Sequence, residues 1–568
     1  MGFFNWLWES KFERDGSRPA DLVVVNGDIL TMNERMPRAQ AAAVSGNLFV
    51  YVGDDAGVAD FVGPDTEVID LGGRFVTPGF VDNHCHVLWI GGLSAVMTTA
   101  LYQCKSMADL GQVLNRHAGE RPDDPLIMGV GWAYDYLPAP LPDNAMLDEL
   151  ISHRPVVLMS LGGQSGWANT AAWDLMRQRN PSAFARLSPD PRNPGLFLHY
   201  HSVNPLDFLV GEEVEWLHAE LQKGMKNTLE EALAVGVTTM NDVQVNRLFM
   251  PALYEFKEKG GLRDARVRCS LYIDRHDPTD EAKLADDLEW WQGLAGQSDE
   301  HLILGDSLKF YADGVASNHT SFMLEPFSDD PDNHGVPDWP AEALDRIMDK
   351  VDGMGFQAIT HACGDGGARR VIDAYEKAIL KNGRRDARHR VDHCELPTPE
   401  DQRRMGELGI LAAMQPTHYY GEEALIKAMG PERRKRHMPW SSLKLNGVDI
   451  SFGSDWCAGP INPVYGLLVA GLRVDFKGRR DTASGEAVPV EDAIRYWTMG
   501  SARALHMEDR VGSIEVGKYG DMAVFRRDLR TITSWWFLLT HELDIGKMDD
   551  FVDLTIVDGR VVYRRQNS

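Results

Sequence analysis

The chain has 568 residues, 43% hydrophobic and 25% charged, the balance of a folded globular protein long enough to bury a large core. Acidic residues outnumber basic ones by 84 to 58, a formal net charge of −26, so the average surface repels nucleic acid and anionic membrane, and nucleic acid is not an expected partner. The six cysteines (Cys85, Cys104, Cys269, Cys363, Cys394 and Cys457) form no CxxC pair and no dense framework, which fits free thiols in a reducing compartment.

At the start of the chain, Phe3, Phe4, Trp6, Leu7 and Trp8 form an apolar cluster that Glu9, Lys11 and Glu13 end. It is too short to span a membrane and lacks the basic flank and cleavage site of a signal peptide. The expectation is therefore a cytoplasmic protein with an aromatic arm and no stable membrane insertion. Residues 22–33 (LVVVNGDILTMN) and 41–53 (AAAVSGNLFVYVG) are strand-turn-strand runs, and 512–525 and 553–563 repeat that character with Gly and Asp-Gly turns. Neither piece is large enough to stand alone, so 1–77 (including the arm) and 506–568 are expected to share one small discontinuous β-sandwich domain.

Between them eight strand-like runs alternate with helical stretches: 80–87, 236–243, 265–273, 308–314, 355–362, 389–396, 409–416 and 449–456. The pattern predicts an α/β fold in which residues 78–505 close a (β/α)8 barrel. The gap from 88 to 235 is too long for one crossover, which predicts an insertion over about 91–230, after the first barrel strand, covering the active site. The basic run Arg433, Arg434, Lys435 and Arg436 reads as a solvated helix face. Trp535, Trp536 and Phe537, with the N-terminal arm, are candidate contacts for a homodimer, buried core being the competing explanation.

Asp82, His84 and His86 alternate along the first run, so their side chains share a face, with successive partners about 7 Å apart. Neutral imidazoles so placed can chelate a metal, and zinc suits them; satisfied polar residues at a strand end are the alternative. Cys85 has the opposite parity and is expected in the helix layer. Lys309, His361, His393 and Asp455 each lie on or just after an apolar run, where barrel strands converge on one face. A lysine buried there is costly, and carboxylation would turn it into an anionic bridging ligand. Asp313 and Asp365 read as turn or supporting residues. His418, in QPTH, fits a hydrogen bond to substrate or a purely structural one. Trp132, Tyr134, Tyr136 and Trp167 form an aromatic stretch of the insertion that suits an apolar or aryl substrate, or else packs the insertion on the barrel.

Taken together, PGFVDNHCH, LKFYADG, THACGD, VDHCEL and FGSDW resemble the metal-dependent amidohydrolase superfamily. GVTTMNDV, AAMQPTH and GSIEVGKYGD resemble its branch containing N-substituted formamide deformylase, amidohydrolase family 3. The resemblance runs from about residue 20 to 563 and implies a distorted TIM barrel with a small β domain built from both termini. It further implies two divalent metal ions, zinc being favoured by the histidines. His84, His86 and Asp455 would hold the more buried ion and His361 and His393 the other, with carboxylated Lys309 as the bridging ligand.

The implied activity is hydrolysis of a C–N bond in a small hydrophobic or aromatic amide, formamide, carbamate or cyclic amide, by attack of a metal-bridged hydroxide. Asp455 would move the proton and His418 would assist. The segment 154–173 (RPVVLMSLGGQSGWANTAAW) resembles the branch's substrate-facing segment but carries Gln164 where many relatives have His, so substrate polarity or leaving-group handling is expected to differ. Gln164, Trp132, Tyr134, Trp167 and His418 are the expected substrate contacts. A lactone or ester hydrolase on the same site and a non-catalytic barrel are the competing readings.

Overall fold

A computed structural model of the chain describes residues 19–133, 136–138, 141–160, 165–187, 189, 193–197, 207–273, 281–419, 423–474, 480, 484–533 and 551–566. The aromatic arm, Tyr134, Gln164 and residues 535–537 lie outside the described residues.

Eight strands run parallel in one sheet, neighbours in space in the order of the chain. They are β1 (Phe80–Cys85), β2 (Val237–Val245), β3 (Arg266–Tyr272), β4 (Ser307–Tyr311), β5 (Gln357–Ala362), β6 (Arg390–His393), β7 (Leu411–Met414) and β8 (Ile450–Phe452). Each is buried along nearly its whole length, as strands covered on both faces must be. One connecting helix shows how locally the sequence dictates these elements. Thr398 accepts the Asp401 N–H as N-cap of Pro399–Leu408, Pro399 opens the helix, and Gly409 ends it at φ 73°.

The sheet closes just beyond β8 rather than along it. The His84 carbonyl accepts the Asp455 N–H at 2.7 Å, and the Trp456 carbonyl accepts the His86 N–H at 2.9 Å. A Cβ at Gly453 would lie 2.7 Å from the His84 nitrogen, so only glycine lets the two edges meet. Asp82 works at this seam. Its carboxylate accepts the Ser454 N–H at 3.0 Å and the Ser454 hydroxyl at 2.5 Å, which takes it out of the chelating face that strict alternation predicts. Burial pushes Asp82 up to about 7 despite those bonds from Ser454 and His84.

Strands from the two chain ends share one sheet: Met522–Phe525 pairs antiparallel with Phe75–Pro78, and a four-stranded sheet from residues 22–70 faces it. Leu22, Val44 and Phe49 of one sheet pack with Val76, Val524 and Ile556 of the other in a single apolar layer. Buried Arg266 at the start of β3 ties this sandwich to the barrel through Asp521 and Asp558.

Between β1 and β2, Met97–Thr98, Ile127–Trp132, Val156–Ser160, Gly166–Ala168 and Leu196–Phe197 make a separate five-stranded sheet with its own apolar core. The helix Glu212–Ala234 then packs on the helix Trp89–Leu93 and feeds β2, so the last part of the predicted insertion serves the barrel. The basic run at 433–436 is not simply solvated. Arg433 donates to the Glu325 and Pro326 carbonyls, and Arg436 to the Leu396 carbonyl and Asp365, because the neighbouring loops leave acceptors there. All six cysteines are unpaired, and among the described residues no helix is long and apolar enough to cross a membrane.

Candidate metal centre

The C-terminal ends of the strands bring seven predicted residues into one bowl. His84 and His86 come from β1 and the turn after it, Lys309 from β4, His361 from β5, His393 from β6, His418 from the turn after β7, and Asp455 from the turn after β8. The ring centroids of His84 and His393 are 5.0 Å apart, and those of His361 and His393 are 4.3 Å apart. Asp455 Oδ1 lies 3.0 Å from His86 Nε2 and 3.4 Å from His84 Nε2, while Oδ2 lies 3.6 Å from His418 Nε2. The left-handed backbone of His393 (φ 66°), Cys394 (φ 48°) and Asp455 (φ 54°) turns the chain sharply at these two strand ends.

Hydrogen bonds on the far side of the His361 and His84 rings set which nitrogen of each faces the bowl. His361 Nε2 donates to the Gly314 carbonyl at 3.1 Å, leaving Nδ1 with the lone pair and no partner. His84 Nδ1 meets Asp392 Oδ2 at 2.5 Å, so its Nε2 lone pair faces the Asp455 carboxylate. His86 Nδ1, His393 Nδ1 and Lys309 Nζ are also buried without a hydrogen-bond partner.

Burial, reinforced by the Lys309 charge, drives the His361 imidazole down to about 3 and lowers His84 as well. His393 goes well below its ordinary value for the same first reason, with the neighbouring imidazoles His361 and His84 next. Burial also brings Lys309 down to about 8. Asp455 behaves oppositely: burial would raise it, but His84, His86 and His418 hold its carboxyl well below the usual carboxylate range.

The imidazoles of His84, His361 and His393, held neutral by burial, thus converge around an ionised carboxylate, an arrangement that a cation completes. One ligand atom each from His84, His393 and Asp455 lie within 4.8 Å of one another, and the same holds for His361, Cys363 and His393. The residues present fit divalent metal ions. His393 belongs to both groups, whereas the sequence reading gave it to one.

Cys363 and Glu395 were not singled out from sequence. Cys363 Sγ lies 3.5 Å from both His361 Nε2 and Glu395 Oε1. Their only legible signal was adjacency to His361 and His393 in THACGD and VDHCEL. Asp313 and Asp365 hold loops, as read. Asp313 accepts the Phe322, Cys363 and Gly364 N–H groups, and Asp365 accepts the Leu324 N–H and the Arg436 guanidinium.

The aromatic wall is corrected in part. Trp132 and Trp167 are both 0% exposed and pack edge-on at 5.5 Å in the core of the insertion, with their Nε1–H groups donated to the Leu158 and Asp143 carbonyls. They pack the insertion's own sheet because their neighbours on it are apolar.

A parallel eight-stranded barrel with imidazoles, a lysine and a carboxylate gathered at the C-terminal strand ends is a TIM-barrel scaffold built around a candidate metal centre. The chain belongs to the amidohydrolase family, whose sequence profile matches residues 67–563. It is 28% identical over 530 residues to the protein LONG AFTER FAR-RED 3 of Arabidopsis thaliana, covering 89% of this chain and 87% of that one. It is 24% identical over 531 residues to the N-substituted formamide deformylase of Arthrobacter pascens, covering 89% and 94%. An uncharacterized metal-dependent hydrolase from Pyrococcus horikoshii OT3 shares the fold, with a TM-score of 0.72 at 23% identity over 90% of this chain and 98% of that one.

Proposed function

We propose that this protein is a metal-dependent hydrolase cutting a C–N bond in a small amide, formamide, carbamate or cyclic amide. The observation that carries this reading is the convergence of ring-nitrogen lone pairs around one carboxylate: His84 Nε2 against Asp455, and the unpartnered Nδ1 atoms of His361 and His393. His84, His86 and Asp455 would hold one ion and His361 and His393 a second, with Lys309 between them as a carboxylated bridge. Zinc matches the nitrogen-rich set. Such ions, when bound, supply Lewis acidity and make water acidic enough to react near neutrality.

Asp455 would take the proton of the attacking water and return it to the leaving amine. It is kept ionised among histidines, and His418 Nε2 lies 3.6 Å from its Oδ2, where it would assist. The deformylase relative makes formamides the first substrates to try. With Trp132 and Trp167 buried in the insertion, an aromatic substrate no longer has their support.

The test is zinc content after purification with bicarbonate and no chelator, with a Lys309→Ala control, followed by matched formamide, amide and ester substrates. We expect about two ions per chain, a sharp drop in the control, and turnover of a C–N substrate. One ion that survives the Lys309 change defeats the bridged site, no metal defeats the hydrolase reading, and turnover of esters alone moves the bond to C–O.

A further inference from the structure

Asp392 belongs to neither candidate ligand group, yet it is 0% exposed and its carboxylate is fully engaged inside the barrel. Oδ2 meets His84 Nδ1 at 2.5 Å, reaching from β6 to β1. Arg390, two residues earlier on β6, grips both oxygens: Nε donates to Oδ1 and Nη2 to Oδ2, each at 2.8 Å. The same Nη2 donates to the Asn83 carbonyl, immediately before His84, at 2.9 Å. β6 therefore holds β1 twice, by the His84 ring and by the backbone that carries it. Lys309 Nζ of β4 lies 4.0 Å from the same Oδ2, so three strands meet at one carboxylate.

An ionised carboxylate can only accept, so the hydrogen between Asp392 and His84 sits on Nδ1. That leaves the Nε2 lone pair directed at the bowl, 3.4 Å from Asp455 Oδ1. A guanidinium fork fixes the plane of a carboxylate as an ammonium cannot. A carboxylate behind a metal-binding imidazole fixes its orientation and raises its basicity. The arrangement is costly to bury unless every partner is met. The Asp392 carboxylate meets that condition with three bonds, while Arg390 Nη1 is buried without a partner.

We propose that Asp392, clamped by Arg390, is a positioning residue of the metal centre, setting the tautomer and ring plane of His84 so that Nε2 presents its lone pair to the ion shared with Asp455. This rests on the metal-centre reading above. It predicts an unequal effect, because Asp392 bonds the ring of His84 directly and reaches the other ion's residues only through its 4.0 Å approach to Lys309 Nζ.

The experiment is zinc affinity, by competition with a chromogenic chelator, for metal-stripped wild type, Asp392→Asn and Arg390→Lys. Melting temperatures of the metal-free forms are measured in parallel. Asp392→Asn keeps the shape and loses the charge, and is expected to weaken one zinc equivalent by about 10- to 100-fold and any second equivalent by less. Arg390→Lys keeps the charge, loses the fork, and is expected to weaken the same equivalent by a smaller factor. A lowered metal-free melting temperature with unchanged zinc affinity would show a merely structural pair and overturn the proposal.

Should Asp392→Asn not fold, wild-type protein with ¹⁵N-labelled histidine decides. A low-field Nδ1–H proton protected from water exchange and lost in His84→Gln supports the proposal, and its absence overturns it. Wild type that binds no zinc brings down the metal-centre reading together with this inference, whereas equal affinities in wild type and variants sink the inference alone.

Discussion

Two clusters of buried rings, both rich in ring nitrogens, sit in this molecule, and they use those nitrogens in opposite ways. In the insertion, Trp132 and Trp167 lie face to edge and each Nε1–H has a backbone carbonyl to bond. In the barrel bowl, His86, His361 and His393 each keep a ring nitrogen that is buried and without a partner. A folded protein satisfies nearly all its buried polar groups, so the first cluster is complete as it stands, while the second gathers several unpartnered nitrogens around one carboxylate. The difference teaches that burial and ring chemistry alone do not separate packing from ligation. The convergence of unpartnered polar atoms does, since Trp440 Nε1 and Trp497 Nε1 are also buried without a partner yet join no candidate ligand group.

The sharpest way to break the contrast is Asp455→Asn. It should keep most of the zinc and lower turnover of a C–N substrate by about 10²- to 10⁴-fold, the range for loss of a proton-transfer group. Steady-state rates alongside metal content check it, and near wild-type turnover would remove Asp455 from the chemistry. Trp132→Ala should do the reverse. Deleting a fully buried indole costs about 3–5 kcal/mol of stability, read from the urea midpoint, while the folded fraction keeps its kcat/KM. A large loss of kcat/KM with little loss of stability would return Trp132 to the substrate wall.

The smallest expected effect lies at the other end of the barrel. His389 accepts the Ala358 N–H on Nδ1 and offers Nε2–H to Asp352 at 3.1 Å. It is thereby satisfied as a neutral ring, and burial lowers its pKa from the ordinary value despite Asp352. The folded state then binds this proton less readily than the unfolded state. The stability His389 contributes is therefore complete above about pH 6.5 and is lost as pH falls below it, by at most about 1.4 kcal/mol per pH unit. His389→Gln should flatten that part of the stability-pH curve relative to wild type, in urea titrations at pH 7.5 and 5.5. Parallel curves would show that the ring titrates normally.

Much of the fold was legible because its signals are local. Eight apolar runs separated by helix-length stretches state a parallel barrel, and LVVVNGDIL and DLTIVDGRVVY state strands and their turns before any contact is known. His84, Lys309, His361, His393 and Asp455 could be picked out because strand ends are where a barrel gathers its chemistry. Asp392 could not. Its parity sends it to the face opposite His393, and only the left-handed turn at His393 and Cys394 lets both neighbours work on the inside. Asp82 failed in the other direction, since alternation joins it to the histidines and the Ser454 seam takes it away.

The sequence by itself determined the order of strands and helices, the family, and the set of metal-capable side chains, because hydrophobic period, capping residues and residue chemistry act over a few neighbours. Only the tertiary structure decided which of those side chains meet and which nitrogen of each ring is free. It also decided that Trp132 packs while His361 waits for a partner. Those outcomes depend on bonds between residues as far apart as His84 and Asp392, which no local pattern encodes.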